Sequence, residues 1–546
     1  MYSDKQHINR LTALLAAHGV THAVTCPGSR NAPIVNDLHA CREITCHAVT
    51  DERSAAFYAL GMIQATGHPV VVCVTSGSAL LNLAPAVAEA KEQRLPLVVV
   101  SADRPAQWIG QYDGQTIAQP PALASLVAKQ VTLPEGEDEE SLWYVHRLVN
   151  EAMLAARQGA PVHINVPISE PLFNFTHPVL PKVTPITKTV PATPDGQMME
   201  QLIARLAEAH HPMIIVGRCS LTADMQVIDE LGRAMETISR YVVVVGEALS
   251  PRRTILPFHE VMEQHNETQP DFVLHLGDTV VSKSLRKRLR NSSVEVWSVS
   301  EDGEVHDLFM HLRHLLVAST PAMLLQLARL LPTTTLKKEA VNFCRQWNEW
   351  LEEEREKRAD EEPDYSEGGA VNYLEQQLED LDDIVWMHYA NSSAVRWANV
   401  YAPHYVWCNR GVNGIEGSLS TAAGFSLMVE EKVVCVIGDL SFFYDQNALW
   451  NSSLRGNLRI LLLNDHGGGI FRQVKGLEPC ARLEDIVSAA HPAEARGICT
   501  QNDVGYLHAG SFDEMRMGIV TLLTEETNRP MLLEIDAMIH ENKIQQ

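Results

Sequence analysis

Two aspartates follow apolar runs in the C-terminal third of the chain. Asp439 comes directly after VVCVIG (433–438), and Asp465 comes directly after RILLLN (459–464). Such runs are typical of strands in a parallel sheet, and open sheets of this kind bind ligands at the carboxyl ends of their strands. Either dipeptide alone, Gly-Asp or Asn-Asp, is more typical of a turn. Their spacing and the GGGIF that follows (467–471) favour a site for Mg²⁺, which takes oxygen ligands and phosphate.

A third carboxylate, Glu52, lies where a strand-like segment passes into the Ala-rich stretch ERSAAFYALG (52–61). A glutamate in the first turn of a helix is favourably placed near the helix dipole and, taken alone, needs no other explanation. A partly desolvated carboxyl group also has the raised proton affinity that acid–base catalysis uses. The residues themselves leave both interpretations open.

The pattern GD…N-[ND]-x-G resembles the signature of thiamine-diphosphate enzymes such as pyruvate decarboxylase and acetolactate synthase, and the resemblance covers the entire chain. It implies thiamine diphosphate and Mg²⁺ (or Mn²⁺) as cofactors, with the metal held by Asp439, Asp465 and the Gly467 carbonyl. It also implies that Glu52 is catalytic, bonding the aminopyrimidine ring and promoting its imino tautomer. Asp465 stands where asparagine is usual, which keeps an oxygen ligand but leaves the metal preference open.

The same resemblance assigns further residues to the cofactor. Ile415, in NRGVNGIEGSLSTAAGFS (409–426), matches the bulky aliphatic side chain that lies beneath the bent cofactor, although an isoleucine is usually a core residue. The other matching positions are Asn391, Ser392, Asn413, Gly438, Leu440, Ser441, Ile470 and Phe471.

Several motifs narrow the resemblance to the menaquinone-pathway branch of this family, namely CPGSRNAP, TDERSAAFYALG, TSGSALLNL, SADRP, NRGVNGIEGSLSTAAG, GDLSFFYDQNAL and NDHGGGIF. That branch decarboxylates 2-oxoglutarate and adds the succinyl-semialdehyde unit to isochorismate by 1,4-addition. The resemblance places seven residues at the substrates: Ser29, Arg30, Arg104, Gln115, Lys283, Arg396 and Arg410. Both substrates carry two carboxylates, which guanidinium groups bind well.

Two of these basic residues have a plain alternative. Arg104, in SADRP, could form a loop ion pair, and Lys283 lies in the run KSLRKRLR, which could be a solvated helix face. Arg30 and Arg410 lie in Gly-containing turns that allow close approach of a ligand.

The elements that position these residues form three α/β segments, so the predicted fold class is α/β with three doubly wound parallel-sheet domains. The resemblance implies that these domains are of the thiamine-diphosphate-binding type. We expect a pyrimidine-binding domain at 1–180, a central domain at 197–345 and a diphosphate- and metal-binding domain at 368–546. The boundaries follow the proline-containing stretch 177–196 and the charged stretch 350–369. Because Glu52 and the metal ligands fall in different domains, the active site must lie where two domains meet. The resemblance places that junction between the subunits of a homodimer or homotetramer.

Composition argues against several other classes of protein. The 546 residues carry a formal net charge of −24, which argues against nucleic acid as a partner. No apolar run approaches the roughly 18 residues of a membrane span, and we expect a cytoplasmic protein. The ten cysteines form no CxxC pair and are expected to be reduced. The rival functions are another 2-oxo acid carboligase or decarboxylase and a catalytically silent homologue.

Overall fold

The computed structural model describes residues 1–188, 194–251, 258–265, 268–473, 476–477 and 479–536. Its strands form three sheets in which every pairing is parallel, with helices in the connections. The predicted α/β class with three parallel sheets is therefore confirmed. Part of the proline-containing stretch, 189–193, lies outside the described residues.

The first sheet has six strands in the order β2-β1-β3-β4-β6-β5. Its valine-rich strands β3 and β4 are buried at every position, as continuous apolar runs predict for a sheet covered on both faces. The strands are β1 (His22–Thr25), β2 (Thr45–Ala48), β3 (Val70–Val74), β4 (Leu97–Asp103), β5 (Lys129–Thr132) and β6 (Val162–Pro167). The helices are α1 (Gln6–Ala17), α2 (Ala32–Ala40), α3 (Glu52–Thr66), α4 (Ser78–Asn82), α5 (Ala84–Gln93), α6 (Gln119–Ala122) and α7 (Glu139–Ala156).

The second sheet has five strands in the order β11-β10-β9-β7-β8. The sequence predicts four of them, from PMIIVG (212–217), YVVVVG (241–246), FVLHLG (272–277) and VEVWSVS (294–300). Strand β11, whose residues are mostly half-buried or exposed, was not predicted. The strands are β7 (Pro212–Val216), β8 (Val243–Gly246), β9 (Phe272–Leu276), β10 (Glu295–Ser300) and β11 (Leu312–Val317). The helices are α8 (Gly196–Glu208), α9 (Met225–Ser239), α10 (Phe258–Gln264), α11 (Lys283–Arg290), α12 (Thr320–Leu330) and α13 (Lys338–Ala359).

The third sheet has the order β12-β13-β14-β16-β15, and its central strands β13 and β14 are the two apolar runs that precede Asp439 and Asp465. The strands are β12 (Val385–Tyr389), β13 (Lys432–Gly438), β14 (Leu458–Asn464), β15 (Gly505–Ala509) and β16 (Met531–Asp536). The helices are α14 (Glu367–Glu379), α15 (Ser393–Tyr401), α16 (Ser418–Ser426), α17 (Asp439–Tyr444), α18 (Arg496–Gln501) and α19 (Phe512–Thr524). Short helical turns cover Ala106–Trp108, Leu331–Thr333, Gln446–Leu449, Gly469–Gln473 and Leu483–Val487.

The first and third sheets are joined by close packing of α3 against α16. A Cβ atom on Gly61 would clash with the backbone carbonyl oxygen of Thr421, and one on Gly424 would clash with that of Tyr58. Glycine at both positions lets the two backbones approach directly. The Tyr58 hydroxyl also donates to the Ala448 carbonyl oxygen at 2.6 Å. Helix α3 is thereby held against the segment that follows Asp439.

No helix within the described ranges is long and apolar enough to cross a membrane. The ten cysteines are all free, and eight of them are buried, so they are mainly packing residues.

Candidate functional site

The carboxyl edge of the third sheet brings the three predicted metal ligands together. Asp439 is the first residue of α17, directly after β13, and its side chain is buried. The Gly467 N–H donates to Asp439 Oδ2 at 2.8 Å, and the Asp465 side chain hydrogen-bonds Asp439. Neighbouring parallel strands end at the same edge, which is why residues so far apart in sequence meet here.

Burial raises the pKa of two carboxyl groups at this edge, Asp439 and Glu367. Burial raises the pKa of Asp439, and the N–H groups of Gly467 and Leu440 only partly offset that effect. Burial also raises the pKa of Glu367 to about 8, with the nearby Asp465 and Asp439 adding to the rise. His491 Nε2 lies 3.2 Å from Asp439 Oδ2. A cation placed among these oxygens would stabilise the ionised carboxylates.

The donor set fits a hard cation that is only partly coordinated by protein. In the described part of the chain, no group of three or more His, Cys, Asp and Glu side chains is arranged to hold a metal ion alone. Asp439 and Asp465 would supply carboxylate oxygens to such a cation, and Gly467 would supply its backbone carbonyl. Mg²⁺ is typically bound by one or two carboxylates and completes its coordination with water and phosphate oxygens. The residues present therefore fit Mg²⁺ together with a diphosphate.

Asn391, which follows β12, is hydrogen-bonded to the loop 409–417, and this loop contains the predicted cofactor residues Asn413 and Ile415. Asn391 Nδ2 donates to the carbonyl oxygens of Asn409 and Gly414, at 2.6 and 2.8 Å. Asn413 has a positive φ of 68°, and Ile415 is 41% exposed at the surface of this loop. An aliphatic side chain presented outward in this way is free to contact a ligand rather than to fill a core.

The remaining predicted cofactor residues lie along the same edge. Ser392 has a positive φ of 74° immediately before α15, and a Cβ atom on Gly438 would meet open space. Leu440 and Ser441 occupy the first turn of α17. Ile470 and Phe471 lie in the turn Gly469–Gln473 after β14, and Phe471 is 38% exposed.

Glu52 lies at a different edge, that of the first sheet. It is the first residue of α3, whose N-terminus is capped by the Asp51 side chain, and its Oε2 accepts from Asn82 Nδ2 at 3.4 Å. The residues on either side of it contact the third segment: Asn447 Nδ2 donates to Asp51, and Arg53 donates to the Tyr444 carbonyl oxygen, both at 2.6 Å. Among the described residues, no hydrogen bond or ion pair joins Glu52 to Asp439 or Gly467.

Four predicted substrate residues share the edge of the first sheet. Arg30 is buried, donates to the Ile168 carbonyl oxygen at 2.8 Å and lies 3.3 Å from Glu170. Arg104 donates to the Gly114 carbonyl oxygen and lies 3.5 Å from Asp113. Arg104 therefore has the loop ion pair that was the alternative interpretation of this residue in the sequence. Ser29 and Gln115 are exposed, and Gln115 has a positive φ of 57° beside the turn at Gly77.

Of the other three predicted substrate residues, Arg396 and Arg410 lie near each other, and Lys283 is exposed. Arg396 donates to the Ser392 carbonyl oxygen at 2.6 Å, and Arg410 donates to Asn391 Oδ1 at 3.0 Å. Burial, followed by the charges of Arg410 and Arg286, lowers the pKa of Arg396 to about 10. Lys283 is the exposed first residue of α11. The residue of this helix whose charge acts on Arg396 and Arg410 is Arg286.

Three cations thus lie near one another, on α11, on α15 and in the loop 409–417. The Nε of Arg410 is buried without a hydrogen-bond partner among the described residues. Burial, followed by the charge of Arg410, also lowers the pKa of Arg286. Like charges held together, with an unused buried donor on Arg410, are chemically suited to an anion such as a carboxylate.

Sequence reasoning missed Arg286, which lies near Arg396 and Arg410, and it missed Glu367 and His491, which lie near Asp439. Arg286 was hidden in a basic run in which several residues look alike, although its position one helical turn after Lys283 was visible. Glu367 and His491 belong to no motif. Only the packing of α14 and of the segment after Val487 against the third sheet brings them near Asp439.

Comparisons with known proteins show the family to which the chain belongs. The family model described as "Thiamine pyrophosphate enzyme, N-terminal TPP binding domain" matches residues 8–122. The chain is similar to proteins from Bacteroides thetaiotaomicron and Bacteroides fragilis, each named 2-succinyl-5-enolpyruvyl-6-hydroxy-3-cyclohexene-1-carboxylate synthase, with 41% identity over 98% of this chain and 96% of each relative. A protein of the same name from Porphyromonas gingivalis is 32% identical over 99% of this chain and 96% of its own.

Proposed function

Because the chain belongs to the 2-succinyl-5-enolpyruvyl-6-hydroxy-3-cyclohexene-1-carboxylate synthase family of thiamine pyrophosphate enzymes, we propose that it decarboxylates 2-oxoglutarate and adds the resulting unit to isochorismate in menaquinone biosynthesis. The enzyme is a transferase-type carboligase that depends on thiamine diphosphate. The observation that carries the proposal is the meeting of Asp439, Asp465 and Gly467 at one sheet edge, in a chain 41% identical to named synthases over nearly its whole length.

Glu52 is the proposed catalytic residue. When bound, thiamine diphosphate supplies the carbon that attacks the keto group and the ring that accepts the electron pair as carbon dioxide leaves. Glu52 holds a proton at the aminopyrimidine ring, and its place at the start of α3, beside Asn82, fixes the direction of its carboxyl group. Ile415 supports the bent cofactor from the loop 409–417.

Asp439, Asp465 and the Gly467 carbonyl bind Mg²⁺ or Mn²⁺ in this proposal, and the metal anchors the diphosphate. The residues at the edge that contact the cofactor are Asn391, Ser392, Asn413, Gly438, Leu440, Ser441, Ile470 and Phe471. Support comes from the burial that raises the pKa of Asp439, because a bound cation would stabilise its ionised form, and from the open space beside Gly438.

The substrate carboxylates are assigned to the basic residues. Arg396 and Arg410, joined by Arg286, form the better site, because Arg410 retains an unused buried donor. Ser29, Arg30, Arg104 and Gln115 contribute from the first-sheet edge. Arg30 and Arg104 already have carbonyl and carboxylate partners, so a substrate carboxylate must replace or share those contacts. Lys283 is retained as a peripheral contact.

The active unit is proposed to be a homodimer or homotetramer in the cytoplasm, with sites between subunits. The exposed apolar side chains Trp108 and Tyr112, which follow β4 near the edge of the first sheet, support a covering partner. The proposed domains are 1–180, 197–345 and 368–546, each of which contains one sheet. Sedimentation at assay concentration tests the assembly, and an active monomer would contradict it.

The function is tested by following the ultraviolet loss of isochorismate with purified protein, thiamine diphosphate, Mg²⁺ and 2-oxoglutarate, omitting each component in turn. Loss that requires all four supports the proposal. Carbon dioxide release without loss of isochorismate would leave a thiamine-dependent decarboxylase with another acceptor. Neither reaction would favour a catalytically silent homologue.

A further inference from the structure

Glu89, on α5 of the first segment, binds the backbone of the loop 409–417 of the third segment. Its Oε1 accepts from the Gly411 N–H at 2.7 Å, and its Oε2 accepts from the Val412 N–H at 2.6 Å. The side chain is 3% exposed. Two successive N–H groups directed at one carboxyl group form a concave anion site, and here the anion belongs to the protein itself.

The loop approaches α5 so closely that a side chain at Gly411 would not fit. A Cβ atom there would lie 2.9 Å from Glu92 Cβ and 3.0 Å from the Glu89 carbonyl oxygen. At the far end of the loop, a Cβ atom on Gly417 would clash with the ring of Phe57 on α3. The loop is therefore held against the first segment at both ends, with Asn413 and Ile415 between the two contacts.

The direction of the Glu89 carboxyl group is itself fixed. Gln93 Nε2 donates to Glu89 Oε1 at 2.5 Å, and Gln64 Nε2 donates to Gln93 Oε1 at 3.2 Å. Gln64 lies on α3, the helix that begins at Glu52. A chain of buried hydrogen bonds thus connects the helix of the proposed catalytic residue to the loop of the proposed cofactor support.

We propose that Glu89 is a positioning residue that sets the loop 409–417, and through it Arg410, Asn413 and Ile415, for binding of the cofactor and substrate carboxylates. The inference rests on the proposed function for what the loop binds, but not for how the loop is held. A buried carboxyl group is costly unless its oxygens are fully hydrogen-bonded, so the two backbone amides and Gln93 are matched to it. Without Glu89, the two amides lose their acceptors and the loop loses its fixed conformation.

The first test uses the unmodified protein without cofactor. Hydrogen exchange followed by mass spectrometry or NMR reports the amides of Gly411 and Val412 individually or within a short peptide. We expect both to exchange slowly, although they lie in a loop, because each has a buried acceptor. Exchange as fast as in an exposed loop would overturn the proposal whether or not the chain is a synthase.

The second test compares Glu89→Gln and Glu89→Ala with the control Glu92→Gln. Glu92 is an exposed residue of the same helix, so its change removes the same charge without touching the two amides. We expect graded faster exchange of peptide 409–417, smallest for Gln, which keeps one acceptor oxygen. Calorimetry with thiamine diphosphate and Mg²⁺ should show affinity weaker by roughly tenfold or more for Glu89→Ala.

If Glu89 had a purely structural role, Glu89→Ala would lower Tm both with and without cofactor but would not change the cofactor affinity of the folded protein. Normal loop exchange and normal affinity in folded Glu89→Ala would overturn the proposal. If the variants do not fold, Gln93→Leu, which keeps the Glu89 carboxyl group but removes its donor and the acceptor of Gln64, must give the same changes in weaker form. Failure of the unmodified protein to bind thiamine diphosphate would instead refute the proposed function. The hydrogen-exchange result does not depend on that outcome, because it is measured without cofactor.

Discussion

The buried Glu367 should make the protein without cofactor less stable as pH rises, and Glu367→Gln should remove that dependence. Burial, with the nearby Asp465 and Asp439, raises the pKa of this carboxyl group from 4.5 to about 8. Only Ser393 Oγ and Trp397 Nε1 donate to it among the described residues, both at 3.4 Å. The folded protein therefore keeps the group protonated near neutrality.

The sign and size follow from linkage. Above pH 4.5 the unfolded chain releases this proton while the folded chain retains it, so the contribution to stability falls by about 1.4 kcal/mol per pH unit until pH approaches 8. Glutamine stays neutral and resembles the protonated acid. The advantage of Glu367→Gln over the unmodified chain should grow by about 2–3 kcal/mol between pH 5.5 and 7.5, or roughly 5–10 °C in Tm for a unit of 150–250 residues.

Calorimetric or fluorescence melting of both cofactor-free proteins from pH 5.5 to 8 measures this difference directly. Other groups with raised pKa values, such as Asp445, occur in both proteins and cancel in the comparison. Glu379→Gln, at an exposed position of the same helix, is the matched control. A Tm difference that is constant with pH, or that grows as pH falls, would refute the reasoning.

Three further predictions concern activity. Glu52→Gln should lower kcat by at least about 100-fold with an unchanged Tm, and normal turnover would remove Glu52 from catalysis. Chelation should abolish activity and Mg²⁺ restore it, and Asp439→Asn should need more Mg²⁺ than the unmodified enzyme for half-maximal rate. Arg286→Gln should raise KM for 2-oxoglutarate by about tenfold or more, and Lys283→Gln by much less. Equal increases in KM for Arg286→Gln and Lys283→Gln would contradict the placement of Arg286, rather than Lys283, at the substrate carboxylate.

Much of the fold followed from local sequence. Continuous apolar runs at β3, β4, β13 and β14 are short, rich in Val, Leu and Ile, and bounded by Gly, Asn or polar residues, so they indicate buried parallel strands without reference to the rest of the chain. Strands β1, β5, β11, β12, β15 and β16 were not indicated. Most of them are short and mix polar side chains among the apolar ones.

The sequence by itself determined which residue types stand at strand ends, and thus that Asp439 and Asp465 share one edge, because the carboxyl ends of neighbouring parallel strands coincide. Tertiary structure alone decided which side chains converge from distant segments. Lys283 and Arg286 look equivalent in a basic run, and Glu89 looks like any helix glutamate. Packing buries Glu89 against Gly411 and brings Arg286 within electrostatic range of Arg410. Such contacts join residues more than a hundred positions apart, and local periodicity carries no information about them.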